Sequence, residues 1–218
     1  MKEASARVVW ALLALTFVTG LIDAASVLGL GHVFVANMTG NVVFIGFGLF
    51  GQGAASLGAG LCALLGFSCG AVIGGRLMRG SGAGRLPTAL TLEVLTLATA
   101  GALAALWPAV DLRFLILLMA SALGLRTAVV RALAVPDLTT TVLTLTLAGI
   151  AADSNLAGGT NPRLARRLAS VGMMLAGASL GAVLFWSAAR YVVLIAAGLE
   201  ACAAWALATG VARDAPAA

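Results

Sequence analysis

Six stretches of this chain are each about twenty residues long and nearly free of charge: roughly 9–30, 56–76, 88–108, 112–131, 168–188 and 190–209. As a helix, a run of that length matches the ~30 Å hydrocarbon core of a bilayer. A soluble chain of this size needs roughly a quarter of its residues charged to coat its surface. Here 10% are charged and 61% are hydrophobic, with a mean hydropathy of +1.08. The expectation is an all-α polytopic membrane protein whose main partner is lipid.

The net charge is +5. The basic residues lie between apolar stretches, as topology determinants do, so the charge reads as membrane orientation and not as a nucleic-acid footprint. Residues 1–30 superficially resemble a signal peptide, with Lys2 and Arg7 before an apolar run. That run is too long for a typical signal core and more spans follow it, so a retained first span is expected. Cys62, Cys69 and Cys202 sit in apolar sequence as small packing residues, and His32 is the single histidine, so no metal set is expected. GQGAASLGAG at 51–60 lacks the lysine and hydroxyl ending of a phosphate loop, and no cofactor is expected.

Two further apolar stretches, 34–51 and 138–151, directly follow the first and fourth spans. They carry one polar motif twice, one hundred residues apart. Residues 35–48 read VANMTGNVVFIGFG and residues 135–148 read VPDLTTTVLTLTLA. Val35, Thr39 and Val42 match Val135, Thr139 and Val142, and Asn37 stands opposite Asp137. The second stretch, of about fourteen residues, makes a helix of about 21 Å, short of a full crossing. The repeat continues in GFSCGAVIGG at 66–75 and AGASLGAVLF at 176–185. The chain therefore divides into two repeated halves, 1–110 and 111–218, within one membrane domain.

Two topologies follow. If both motif segments enter and return, there are six full spans and the halves are inverted; if both cross, there are eight and the halves are parallel. Of the 13 Lys plus Arg, the six-span arrangement leaves only Arg113 and Arg190 outside, with Arg126 in the membrane. The eight-span arrangement puts Arg76, Arg79, Arg85, Arg131 and Arg190 outside. The positive-inside bias favours six spans, with both termini cytoplasmic. Gly66, Gly70 and Gly74, and likewise Gly177 and Gly181, form small helix faces suited to close helix packing, including a homo-oligomer contact.

Asp23 lies deep in the first span, where an unpaired carboxylate costs several kcal/mol, as a proton carrier, cation ligand, substrate contact or structural cap. Arg126 is its candidate ion-pair partner, with snorkelling toward the inner face as the alternative. Glu200, in the middle of the last span, needs a partner or a proton, and Glu93 poses the same question. In the first motif, Asn37, Thr39 and Asn41 offer donors and acceptors, while Gly40 permits a broken helix. In the second, Pro136 and Asp137 suit a helix start, followed by Thr139, Thr140 and Thr141. Two such helix starts entering from opposite faces would aim positive dipole ends at one site.

These residues carry a resemblance. GLIDAASVLGLGHVFVANMTGNVV at 20–43 and LGLRTAVVRALAVPDLTTTVLTLTLAGIAAD at 123–153 resemble the DUF1275, or YoaK-like, family of bacterial integral membrane proteins. The resemblance covers nearly the whole chain. It implies small, permease-like inner-membrane proteins and marks Asp23, Asn37, Thr39, Gly40, Asn41, Asp137, Thr139, Thr140 and Thr141 as signature residues. Arg126-Thr127 departs from a more neutral Gln-Asn type pair.

The function expected is a secondary transporter or permease for a small polar or anionic solute, coupled to protons or a cation through Asp23. A passive channel and a structural or sensory protein are the alternatives. No nucleophile–base pair or metal set points to an enzyme.

Overall fold

The computed structural model describes residues 4–52, 56–79 and 82–214; Lys2, counted among the inward charges, lies outside the described residues. Among the described residues there are eight α-helices and no strands: α1 Ala6–Gly29, α2 Met38–Leu49, α3 Leu57–Met78, α4 Leu86–Leu106, α5 Leu112–Leu133, α6 Thr144–Ala152, α7 Leu164–Ala188 and α8 Val192–Asp214. Polar residues start several of them. Ser5 caps α1 by accepting from the Val8 N–H, Asp111 caps α5 by accepting from the Arg113 N–H at 2.7 Å, and Pro87 sits in the first turn of α4. Ala134, in a left-handed conformation, ends α5.

Five helical segments are long and apolar enough to cross a bilayer, the last running from Leu164 to Asp214. At 51 residues that segment would be about 76 Å long if straight. A 3-10 turn at Ala189–Tyr191 divides it into α7 and α8, and the two lie along α1 in opposite directions. Large apolar side chains face outward, including Trp186 (87% exposed) and Leu145 (80%), as on a surface bathed in lipid.

The glycines fix how the helices lie. Gly66, Gly70 and Gly74 of α3 face Leu117, Ser121 and Leu125 of α5, so the two run parallel. The approach is backbone to backbone: a Cβ at Gly70 would fall 1.9 Å from the Ser121 carbonyl oxygen. Gly177 and Gly181 of α7 face Phe17 and Leu21 of α1 in the same way, again with 1.9 Å at Gly177. Gly124 faces the Phe67 carbonyl oxygen as Gly20 faces that of Met174. Phe67, Gly70 and Gly74 of α3 map onto Met174, Gly177 and Gly181 of α7 by adding 107, and Ser121, Gly124 and Leu125 of α5 onto Phe17, Gly20 and Leu21 of α1 by subtracting 104. The pairing of 66–75 with 176–185 read from sequence is therefore corrected by three residues. Without a hydrophobic drive from water, such contact rests on dispersion and on backbone groups brought close by the missing side chains. Both glycine faces are thus consumed inside the chain. The glycine faces expected to offer a homo-oligomer contact pack against α5 and α1 of the same chain.

The other long helices run antiparallel. α1 and α5 oppose each other across the core without close backbone packing: Val18, Leu21, Ile22 and Ala25 share one cluster with Ile116, Met119, Ala120 and Leu123, and Val8, Leu12 and Leu15 share the other with Leu125, Val129 and Val130. Gly101 lies against Val193 and Leu194, while Leu86, Ala89 and Leu90 cluster with Ala203, Ala204 and Leu207, so α4 and α8 also oppose. Hence α1, α4 and α7 run one way and α3, α5 and α8 the other.

The motif helices are short, about 18 Å for α2 and about 14 Å for α6. Gly48 rests on Leu57 and Gly60 on Ile45, which sets α2 antiparallel to α3. The chain leaves α1, folds back to the level of Asp23, then returns through α2 to the end from which it came. α6 leads back to α7, its Gly149 lying against Arg167.

Candidate functional site

The first motif is fastened to α1 through Asp23. Its Oδ1 accepts from the backbone N–H groups of Val35 (3.2 Å) and Ala36 (3.1 Å). One turn on, the Ser26 hydroxyl donates to the Val33 carbonyl oxygen at 2.9 Å. The buried Asn41 completes the clamp: its Oδ1 accepts from the Phe34 N–H at 2.9 Å and its Nδ2 donates to the Phe34 carbonyl oxygen at 2.6 Å. Irregular backbone at membrane depth needs such protein partners. Asn37 caps α2, accepting from the Gly40 N–H at 3.5 Å.

Gly40 does not break the helix, as its flexibility suggested. It lies in the first turn of α2, where a Cβ would come within 2.9 Å of the Phe34 ring. Its role is to let Phe34 pack. Phe34 in turn stacks on Phe44, with ring centroids 6.0 Å apart.

The second motif is built differently. Pro136 and Asp137 do not start a helix; α6 begins only at Thr144. Asp137 and Thr140 have φ of 65° and 61°, which no right-handed helix accommodates. The Thr139 hydroxyl donates to the Val142 carbonyl oxygen at 2.8 Å, and that of Thr141 to the Thr139 carbonyl oxygen at 3.4 Å. Such local side-chain bonds compete with helical ones and hold the segment irregular.

Asp137 is held by Arg163 at 2.5 Å and Arg167 at 3.0 Å. Arg167 also donates to Asp153 and to the Gly149 carbonyl oxygen, both at 2.7 Å. Partial burial raises the Asp137 carboxyl, but the hydrogen bonds and charges of the two arginines outweigh it and hold the group below its ordinary value. The arginine clamp was not among the candidates from sequence. Its signal was the NPRLARR run at 161–167, which spans the start of α7.

The two motif segments meet at a cavity of about 520 Å³. Asp23, Phe34 and Asn37 line it from one segment and its neighbour α1; Thr141, Thr144 and Leu147 line it from the other. Gly20 and Met174, at the α1–α7 crossing, form part of its wall. Of the other sequence candidates, Asn41 and Gly40 stand behind this lining, while Thr39 and Thr139 are exposed. Thr140 is buried outside the lining, and Asp137 belongs to the arginine clamp. His32 lies exposed in the turn after α1, with φ of 59°.

Arg126 does not pair with Asp23, and it does not snorkel. It is fully buried and hydrogen bonds through Nε to Glu93 and through Nη2 to Glu200. Its Nη1 donates to the Thr19 hydroxyl at 2.8 Å and to the Leu15 carbonyl oxygen at 3.2 Å. The expected Asp23–Arg126 pair is therefore corrected. Two glutamates hold the guanidinium, while backbone N–H groups occupy Asp23.

A chain of long apolar helices running in both directions, with two short helices among them, is a polytopic membrane protein. Residues 11–206 match the family described as "Protein of unknown function (DUF1275)", and the chain belongs to that family. It is also 37% identical over 144 residues to the UPF0700 transmembrane protein YoaK of Bacillus subtilis (strain 168), a match covering 64% of this chain and 64% of that relative. The match thus spans less than two thirds of the relative's length. No solved structure matches the chain.

Proposed function

We propose that this protein is a secondary transporter for a small polar or anionic solute, bound between the two motif segments. The observation that carries this reading is the shared cavity, lined by Asp23 and Asn37 from one segment and Thr141 and Thr144 from the other. Asn37 is the N-cap of α2 and Thr144 the first residue of α6, so two helix N-termini border the space. Their orphan N–H groups and positive dipole ends favour electronegative groups of a solute. Asp23 adds a carboxylate for a proton or cation on the same wall.

The packing supports six spans in two inverted halves. α1 and α5 stand at the head of each half and run in opposite directions. Eight spans would make them parallel. The constant shifts relating the α3–α5 and α7–α1 contacts support a pseudo-twofold relation between the halves. Inverted repeats with a site at their interface are a common transporter plan, in which one half rocks against the other. The end carrying Arg7, Arg76, Arg79, Arg85, Arg131, Arg163, Arg166 and Arg213 then faces the cytoplasm, and the end with Arg113 and Arg190 faces out.

A thermal-shift screen of purified protein against small solutes tests this reading. A solute of this site raises Tm in the wild type and loses that effect in Asn37→Ala and Thr141→Val. If every hit keeps its full shift in both variants, the cavity is not the binding site.

A further inference from the structure

The three groups at the crossing of α1, α4, α5 and α8 do not balance in charge. Glu93, Arg126 and Glu200 are each 0% exposed, and with both carboxyls ionised the trio carries a net charge of −1 in a buried place. A buried charge without a counterpart is costly enough that the group normally takes up a proton instead. Arg126 occupies only one oxygen of each carboxyl, Glu93 Oε1 and Glu200 Oε2. The other two, Glu93 Oε2 and Glu200 Oε1, are buried and have no hydrogen-bond partner.

Both carboxyls sit on one guanidinium, at its Nε and Nη2, which sets them side by side, within reach of a hydrogen bond to each other. An ionised carboxylate only accepts, so this bond exists only when one carboxyl carries a proton. One proton satisfies both oxygens and brings the trio to neutrality.

Among the described residues, the surroundings offer nothing else that would do so. From α1 the trio meets the Leu15 carbonyl oxygen and the Thr19 hydroxyl, both bonded to Arg126. The nearest ionisable group on α1 is Asp23, one turn beyond Thr19, and its Oδ1 is committed to the Val35 and Ala36 N–H groups. α5 contributes Arg126 itself, and α4 and α8 contribute one glutamate each.

We propose that Glu93 and Glu200 share a single bound proton, forming a proton-binding site separate from the cavity. Glu200 follows Glu93 by 107 residues, the shift that also relates Gly70 to Gly177. The pair joins α4 and α8, which run antiparallel. Loss of the proton sets two like charges against one another across that contact. The site holds whether or not the cavity binds a solute.

Infrared difference spectroscopy of the purified protein in lipid nanodiscs near pH 7 tests the assignment. The wild type shows the C=O band of a protonated carboxylic acid, shifted in D2O. Glu93→Gln and Glu200→Gln each supply an amide donor in place of the proton, so each keeps a wild-type Tm and loses that band. Asp23→Asn keeps the band. Absence of the band from the wild type, or its survival in either glutamine variant, overturns the proposal. The wild-type spectrum decides alone if a variant does not fold. The double variant leaves the Arg126 charge unpaired, and its Tm falls below that of either single variant; an unchanged Tm also contradicts the account.

Discussion

Asp23 and Ala36 are joined by a 3.1 Å hydrogen bond from the Ala36 N–H to the Asp23 carboxylate, across a chain reversal. The same oxygen accepts from Val35. One side chain thereby holds the irregular stretch before α2 against α1, at the edge of the cavity.

This tie predicts a split between two substitutions. Asp23→Ala removes the acceptor and leaves two backbone donors unsatisfied, which costs about 1.5–3 kcal/mol. Asp23→Asn keeps an acceptor oxygen and loses only the charge, so its stability stays closer to wild type. Thermal unfolding in one detergent compares them; equal losses in both would show that the charge, not the acceptor, matters.

The glycine contacts predict paired effects in the two halves. Gly70→Ala and Gly177→Ala each drive a methyl group to within 1.9 Å of a carbonyl oxygen, and each is expected to cost about 1–3 kcal/mol. Gly75 faces open space, so Gly75→Ala is neutral within error. A Tm drop at one of the paired glycines alone would break the equivalence of the halves.

Asp137 predicts an acid limb of stability. Its carboxyl is held below the ordinary value of about 3.9 by Arg163 and Arg167. A group depressed on folding stabilises the fold above its unfolded pKa and loses that contribution as pH falls through the folded value. Tm should hold from pH 7 to about pH 4 and decline below it. Asp137→Asn should flatten that decline, and a wild-type slope in this variant would place the acid-sensitive group elsewhere.

The packing directions also predict sidedness. In a cysteine-free background, Gly84→Cys labels from the cytoplasmic face and Ala109→Cys from the opposite face. Both labelling from one side would require α4 to fail to cross.

The sequence showed the long helices well because each is an apolar run of about twenty residues with few charges; α5, read at 112–131, spans Leu112–Leu133. It misplaced the start of α6. Pro136 and Asp137 have the chemistry of a helix start, but the Thr139 and Thr141 hydroxyls bond their own backbone and hold the chain irregular up to Leu143. Arg126 was matched with the wrong carboxylate because composition flags buried charges without saying which converge. The spacing of Glu93 and Glu200, equal to that of Gly70 and Gly177, was the available clue. That Asn37 and Thr141 line one cavity depends on both motif segments, and neither segment alone encodes it.

The central claim is that both motif segments form one site. Single cysteines at Asn37 and at Thr144 in the cysteine-free protein test it most directly, by reaction with a soluble thiol reagent in the presence of a solute from the thermal-shift screen. The account predicts that the solute slows labelling at both positions with the same concentration dependence. Protection at one position with unchanged labelling at the other would contradict it.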